Sequence, residues 1–286
     1  MSSTTVIAYQ GHEGAYSHLA CRKVFPNIPA LACGSFVEAM EKVERGEAAL
    51  AMIPVENSTA GRVEEIYRQM PKTSLHIIGE HFEPVNHCLL GVKGASIGGL
   101  TTVGSHPQAL AQCDGHIKQL GLRAVAKLDT AGAALEVSRL QDPSQAAIAS
   151  SLAAELYGLE VLQENFQDMT GNTTRFIILA RDAKVPPLEE GKHYITSIMF
   201  NVSHLPASLY KALGGFATNG INLIKLESYM TGGTLQVSQF HIDIASHQDT
   251  RAMQHAMEEL TFFARNIRVL GTYEAHPVRR SYELID

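Results

Sequence analysis

The sequence predicts an α/β protein of about two domains: a long amino-terminal part of mostly parallel strands and a shorter carboxy-terminal βαββαβ part. Three observations carry that expectation. Short apolar runs alternate with helix-period segments as far as Tyr157, the pattern of strands joined by crossover helices. The stretch 182–191 holds prolines and charges without a periodic apolar face and reads as a linker. The chain of 286 residues, 45% of them hydrophobic, exceeds what one small core can use.

Residues 4–9 form the first expected strand and 16–25 the helix after it. Ser35, followed three residues later by Glu38, has the capping-box pattern and opens a helix that stops near Gly46. A strand is expected over 48–53, a helix over 63–70, and strands over 75–81 and 88–92, with Glu83-Pro84 between them as the crossover into a second lobe. Loop-rich 91–99 leads to strand 101–104, helix 107–120, strand 123–127, helix 131–140, strand 146–149 and helix 152–157. Beyond the linker, 194–202 reads as strand, 206–219 as helix, 223–230 and 235–244 as a strand pair, 250–263 as helix and 267–273 as strand. Thr231-Gly232-Gly233 turns the pair as a hairpin. This order is the ferredoxin-like arrangement, which by itself names no function.

Composition excludes several classes of partner. A net charge of −6, from 23 basic and 29 acidic residues without a basic cluster, argues against nucleic acid and anionic membranes. No apolar run reaches the ~18 residues that span a bilayer, and residues 1–5 carry no basic-then-apolar leader, so a cytoplasmic location is expected. Cys21, Cys33, Cys88 and Cys113 are scattered and are expected to pack as reduced thiols. The 13 histidines show no HExxH and no paired spacing with cysteine, which leaves no metal expected. Gly11-His12-Glu13-Gly14 is neither a dinucleotide fingerprint nor a phosphate loop, and Ser105-His106 lacks the GxSxG turn of a hydrolase.

Four polar segments, 11–17, 54–59, 105–108 and 171–176, lie beside strand-like runs, and such strand ends can converge on one pocket. Gly171-Asn172-Thr173-Thr174-Arg175-Phe176 sets a hydroxyl, a guanidinium and an aromatic ring side by side, which suits a carboxylate beside a hydroxyl that must leave. Arg175 offers a planar fork for a carboxylate. Asn57 and Ser58 can hydrogen-bond a ligand without adding charge, and Gly14 and Ser17 let backbone approach it. Ser105 stands before a helix begun by Pro107, which is equally the mark of a plain N-cap. Glu56 is expected to orient Asn57, because an anion facing an anionic ligand is costly. Thr174 taken alone is equally a β-branched strand residue.

Four motifs in order carry a resemblance. Gly11-His12-Glu13-Gly14-Ala15-Tyr16-Ser17 is similar to a GxxGxYS segment, Pro54-Val55-Glu56-Asn57-Ser58 to PxENS, Ser105-His106-Pro107-Gln108 to SHPQ, and Asn172-Thr173-Thr174-Arg175-Phe176 to NxTRF. Together they resemble the monofunctional prephenate dehydratase family over nearly the whole chain. The resemblance implies a two-lobed, periplasmic-binding-protein-like catalytic domain over 1–181, with lobes of about 1–82 with 166–181 and of 83–165. It further implies a linker over 182–192, a ferredoxin-like βαββαβ ACT regulatory domain over 193–275 and a tail over 276–286. The implied reaction is the decarboxylating dehydration of prephenate to phenylpyruvate, carbon dioxide and water in L-phenylalanine biosynthesis.

In that reaction aromatisation is the driving force, so orientation and help to the departing hydroxide suffice and no cofactor is needed. The resemblance makes Thr174 the group that donates to the leaving hydroxyl, in a water-poor pocket that makes up for a weak acid. It places Arg175, Phe176, Asn57, Ser58, Ser105, Gly14, Ser17, Asn172 and Glu56 around the substrate. A cation on the ring carboxylate would stabilise the ground state, so Arg175 is expected on the pyruvyl carboxylate. The implied effector is L-phenylalanine, at Ala207, Ser208, Leu209, Asn222, Leu223, Glu227 and Ser228, in a homodimer or homotetramer. Ala207 stands where the family usually has glycine and Tyr229 where it has arginine, which leaves the direction of the effect open. Two other readings stand: arogenate as the substrate, although no dedicated ammonium partner is visible, and a non-catalytic sensor of amino or organic acids, against which Thr174 beside Arg175 speaks.

Overall fold

The computed structural model describes residues 5–203, 205–230 and 237–282. By their contacts the residues form two compact units, one of Met1–Met70 with His81–Phe176 and one of Pro71–Glu80 with Ile177–Asp286.

The first unit opens with β1 (Ile7–Gln10), α1 (Tyr16–Val24), β2 (Ala30–Cys33), α2 (Phe36–Glu44) and β3 (Leu50–Asn57). β1 lies between β2 and β3 and pairs in parallel with both, because each intervening helix returns the chain to the same end of the sheet. Ser35 Oγ accepts from Glu38 N at 3.1 Å, while the Glu38 carboxylate reaches Gly34 N at 2.7 Å and not Ser35 N. β3 runs four residues past its expected end at Ile53, because the short β4 (Gly61–Arg62) folds back antiparallel on Glu56 and Asn57. α3 (Glu64–Gln69) and β5 (His76–Pro84) follow.

β6 (Cys88–Gly91), β7 (Thr102–Ser105), α4 (Pro107–Gln112), α5 (Asp114–Gln119), β8 (Arg123–Ala126), α6 (Thr130–Leu140), β9 (Gln145–Ala149), α7 (Ser151–Tyr157) and β10 (Glu160–Gln163) make the second lobe. Its sheet has the order β10-β6-β9-β7-β8. β7 is parallel to β8 and β9, but β6 runs antiparallel to both its neighbours, β9 and β10, so this sheet is mixed. Alternation along β9 builds a core on each face: Ala147 and Ala149 pack with Ala134 and Ala153, Ala146 and Ile148 with Ala109 and Ile117. The helix expected over 107–120 is two helices broken at Cys113. The break frees the N–H groups of Gly115 and His116 to donate to the Asp168 carboxylate at 2.8 and 3.1 Å. The chain then returns as β11 (Thr173–Ala180) to the first sheet, whose order is β2-β1-β3-β11-β5 with β4 beside β3.

The second unit carries β12 (Tyr194–Val202), α8 (Ser208–Thr218), β13 (Leu223–Met230), β14 (Val237–Ile244), α9 (Arg251–Phe263), β15 (Ala264–Glu274) and α10 (Arg279–Tyr282). Its strands are antiparallel in the order β13-β14-β12-β15, which is ferredoxin-like. Ile198, Phe200 and Ile242 of the sheet bury against Phe216 of α8 and Leu260 of α9. Segment 71–80 joins this unit through contacts at Leu75, Ile77 and Glu80, the last also accepting from His276 N at 3.0 Å. Arg268 Nη2 donates to Leu75 O at 2.9 Å, and Arg279 holds the buried Glu80 carboxylate at 2.6 and 2.8 Å. A Cβ on Gly271 would lie 1.8 Å from Ile77 O. The turn expected at Thr231-Gly232-Gly233 lies outside the described residues.

All four cysteines are unpaired and buried, and burial pushes the thiols of Cys21 and Cys113 up to about 12, so they pack as neutral groups. No described helix is long and apolar enough to cross a membrane. Among the described residues no group of three or more His, Cys, Asp or Glu is placed to hold a metal ion.

Candidate active site

The end of β3, the entry to β11, α4 and the loop before β6 meet in the first unit around Asn57. Asn57 Oδ1 accepts the backbone N–H groups of Thr59 and Ala60 at 3.0 and 2.9 Å, an Asx turn that leaves Nδ2 as the donor end. Nδ2 gives to Asn172 Oδ1 at 2.7 Å and to Thr174 Oγ1 at 3.0 Å. Asn172 therefore turns its own Nδ2 to Gln112 Oε1, at 3.1 Å. His87 Nε2 meets the same oxygen at 2.9 Å, and only a protonated Nε2 can serve it. Burial lowers the His87 pKa, with the Gln112 bond opposing, so the ring is neutral near pH 7 and Nδ1 is an acceptor. The Tyr16 hydroxyl lies 2.9 Å from Nδ1.

Two donors toward ligand result. Thr174 Oγ1 accepts from Asn57 and makes no other hydrogen bond among the described residues, so its proton is uncommitted. An amide donor on that oxygen stabilises the charge that gathers there as the proton moves outward, which makes a poor acid a better one. Gln112 has its oxygen doubly engaged, its NH2 has no partner among the described residues, and the residue lines a cleft of about 320 Å³. Thr59, Asp168, Met169 and Asn172 share that wall. The volume lies within the range that takes small organic ligands. Thr174, half-buried, is two hydrogen bonds from Asn172, both given by Asn57.

The remaining expected residues divide. Ser58 clasps the two segments, its Oγ accepting from Thr173 N at 2.9 Å and facing Gly171 O at 3.4 Å. Arg175 is not brought to the side of Thr174, because successive strand residues point to opposite faces. It is 4% exposed, and its Nη1 lies 3.4 Å from Glu56 Oε1. Glu56 thus serves Arg175 and the Tyr67 hydroxyl, and it is the turn at 57–60 that orients Asn57. Phe176 is sealed in the core. Ser105 is fully buried and donates to Ile148 O at 2.6 Å, while the cap of α4 is His106, whose ring accepts from Gln108 N. Gly14 has φ +86 and is approached by protein: a Cβ there would lie 2.8 Å from Ala153 Cα, and its carbonyl accepts from Ser150. Ser17 is buried on α1.

Sequence reasoning passed over Gln112, left His87 among the histidines without metal-ligand spacing, and took Tyr16 only as part of the first motif. One signal was available: Gln112 follows Gln108 by one helical turn and shares its face.

In the second unit Ala207 holds φ +60, the left-handed region that favours glycine, and Ser208 and Leu209 begin α8. Asn222 and Leu223 follow the far end of that helix, and Asn222 lines a cavity of about 430 Å³ with Tyr194, His247 and Arg279. Glu227 and Ser228 lie along β13.

Two α/β lobes and a cleft walled by amides and the Asp168 carboxylate, with the Thr174 hydroxyl linked to that wall through Asn57, have the dimensions and polarity that suit a small polar molecule. The prephenate dehydratase family model matches residues 7–184. The chain is 45% identical over 281 residues, 98% of this chain and 99% of the other, to a bifunctional N-acyl-homoserine lactone acylase/prephenate dehydratase of Komagataeibacter europaeus. It is 42% identical over 288 residues, 96% of this chain and 73% of the other, to arogenate dehydratase/prephenate dehydratase 1 of Arabidopsis thaliana. The crystal structure of the prephenate dehydratase of Arthrobacter aurescens in complex with L-Phe matches with a TM-score of 0.86 at 28% identity, over 95% of this chain and 90% of that one. The chain belongs to the prephenate dehydratase family, and it is an enzyme.

Proposed function

We propose that the protein converts prephenate to phenylpyruvate, carbon dioxide and water. The observation that supports this reading is the Thr174 hydroxyl, held from behind by the Asn57 amide with its own proton uncommitted. The substrate lies in the cleft with a carboxylate on the Gln112 amide, and Thr174 donates to the ring hydroxyl. As the C–O bond breaks, the C–C bond to the ring carboxylate breaks with it, carbon dioxide leaves, and the electron pair completes the aromatic ring. The leaving oxygen takes the proton that Thr174 delivers and departs as water, and Thr174 regains a proton from solvent. Every group in this scheme is neutral where the departing carboxylate sits, so the charge that disappears is not stabilised in the ground state. Arg175, buried on Glu56 on the opposite face of β11, is given no direct contact with substrate in this reading, and a KM raised strongly in Arg175→Lys with the fold intact counts against that.

Arogenate is a second candidate, favoured by Asp168 on the cleft wall. Burial raises the Asp168 pKa, but the N–H groups of Gly115 and His116 and the His116 ring outweigh it and leave a net lowering. The resulting carboxylate suits an ammonium. Purified protein is mixed with each compound; phenylpyruvate absorbance in alkali reports prephenate turnover, and kcat/KM for the two sets the preference. Turnover of neither compound contradicts the proposal.

L-Phenylalanine is the proposed effector of the carboxy-terminal domain, taken as an ACT domain over 193–275. Its support is the match to a relative whose structure holds L-Phe, together with the ferredoxin-like sheet.

A further inference from the structure

The hydrogen bonds around Asn57 do not stop at the cleft. They continue behind it to His87, which is 2% exposed just before β6, and to Tyr16 at the start of α1. The His87 and Tyr16 rings meet edge to face at 5.6 Å. We infer that His87 and Tyr16 are positioning residues: the phenol fixes the Nε2–H tautomer of His87, and that tautomer holds Gln112 with its NH2 toward the cleft.

The argument is one of counting protons. Gln112 Oε1 receives Asn172 Nδ2, whose direction is set two bonds earlier by the backbone of Thr59 and Ala60. That oxygen has no proton to give, so the facing His87 Nε2 must carry one. A neutral ring then has a bare Nδ1, and the phenol of Tyr16 is its donor at 2.9 Å. The phenol has one proton and two acceptors in reach, Nδ1 and Asn86 O at 2.8 Å, and lies between them. Were the proton given wholly to Asn86, lone pairs of oxygen and nitrogen would face each other. Removal from water keeps the phenol protonated, its pKa raised well above the ordinary value by burial first and then by Cys88, Cys113 and Glu83. In the other tautomer Nε2 would ask Gln112 for a proton, turn the amide round, and set two N–H groups of Gln112 and Asn172 against each other. His87 thus completes from the rear what Asn57 starts from the front, and the amide between them has one orientation.

The inference rests on the dehydratase reading for its kinetic consequence and not for its structural one. Full-length protein carrying ¹⁵N-histidine is assigned by the loss of one ring signal set in His87→Gln, and the protonated nitrogen is read directly. Protonated Nε2 with bare Nδ1 is expected in the wild type, and a mixture of tautomers in Tyr16→Phe. A protonated Nδ1 in the wild type overturns the proposal whatever the enzyme acts on. Kinetically, His87→Leu is expected to raise KM for prephenate roughly tenfold, the loss of about one well-held hydrogen bond, with kcat changed less. A variant that merely folds poorly shows the reverse, a lower apparent kcat at unchanged KM. His87→Gln, whose amide N–H can replace Nε2–H, recovers most of the KM. An unchanged KM in His87→Leu overturns the positioning role, and a wild type inactive on both substrates sinks the dehydratase reading while the tautomer measurement still decides this one.

Discussion

An alcohol is a weak acid in water, and a residue such as Thr174 becomes useful only when its neighbours are arranged. Asn57 does this with one amide: its oxygen is tied to two backbone N–H groups, so its nitrogen has no choice but to donate to Thr174 and Asn172. Ala207 shows the same logic in reverse, a side chain held at φ +60 where a Cβ is crowded. Ala207→Gly is expected to raise stability by about 0.5–1 kcal/mol, the relief of strain less the entropy of a freer unfolded chain, read by urea unfolding. A titration belongs to this scale too. Burial lowers the pKa of His87 and also of His18, so below pH ~6.5 the unfolded chain binds protons that the folded chain refuses. Their contribution to stability is complete above that pH and is lost as pH falls toward their folded values. Stability is therefore expected to rise with pH up to ~6.5, by at most roughly 1.4 kcal/mol per pH unit for each ring, and His87→Gln removes one share while leaving that of His18. An equal slope in variant and wild type contradicts this. Of the proposed site, the sequence singled out Asn57, Asn172 and Thr174, which stand in two separate motif segments and which the structure links by hydrogen bonds. It did not show that Arg175 faces Glu56, since two residues adjacent in a motif lie on opposite faces once the motif is a strand.

At the scale of elements, most departures from expectation come from partners that lie outside the segment itself. The helix over 107–120 has an unbroken periodicity, and what breaks it at Cys113 is Asp168, some fifty residues on, receiving the N–H groups of Gly115 and His116. β3 outruns its apolar run because β4 pairs with its last residues. β10 is only four residues long and half of them are exposed, so it has no pattern to detect. Glycines show the same dependence, for Gly271 reads as an ordinary strand residue until Ile77 is placed against it. Gly271→Ala is expected to destabilise the protein by about 1–3 kcal/mol, because the obstacle is backbone and cannot rotate away. Urea unfolding reads this, and a variant as stable as wild type contradicts the close packing of Gly271 on Ile77.

At the scale of the molecule, the grammar of alternating strands and helices and the βαββαβ order made the fold class legible, while the division between the two units falls inside β11 and not at the proline-rich stretch over 182–191. The assignment of segment 71–80 to the carboxy-terminal unit was not legible, because it rests on Arg268, Gly271 and Arg279 finding Leu75, Ile77 and Glu80. Placement also bears on regulation. Ala207, Ser208 and Leu209 stand at one end of α8 and Asn222 and Leu223 at the other, and a helix of 11 residues separates them by roughly 16 Å. A molecule the size of phenylalanine cannot touch both groups in one copy, so the proposed effector site needs two copies paired. Calorimetry with L-phenylalanine is expected to show binding and a raised melting temperature, both lost in Asn222→Ala. No heat and no shift at millimolar ligand contradict an effector role.

The central claim is that a threonine hydroxyl, polarised by an amide, carries the departure of the ring hydroxyl. Its most direct measurement is steady-state turnover of prephenate by Thr174→Ala and Thr174→Ser beside wild type. The account predicts that alanine lowers kcat by roughly 10²–10⁴-fold with KM changed only a fewfold, and that serine recovers part of the loss. An alanine variant that turns over like wild type contradicts it, and places the proton donor elsewhere.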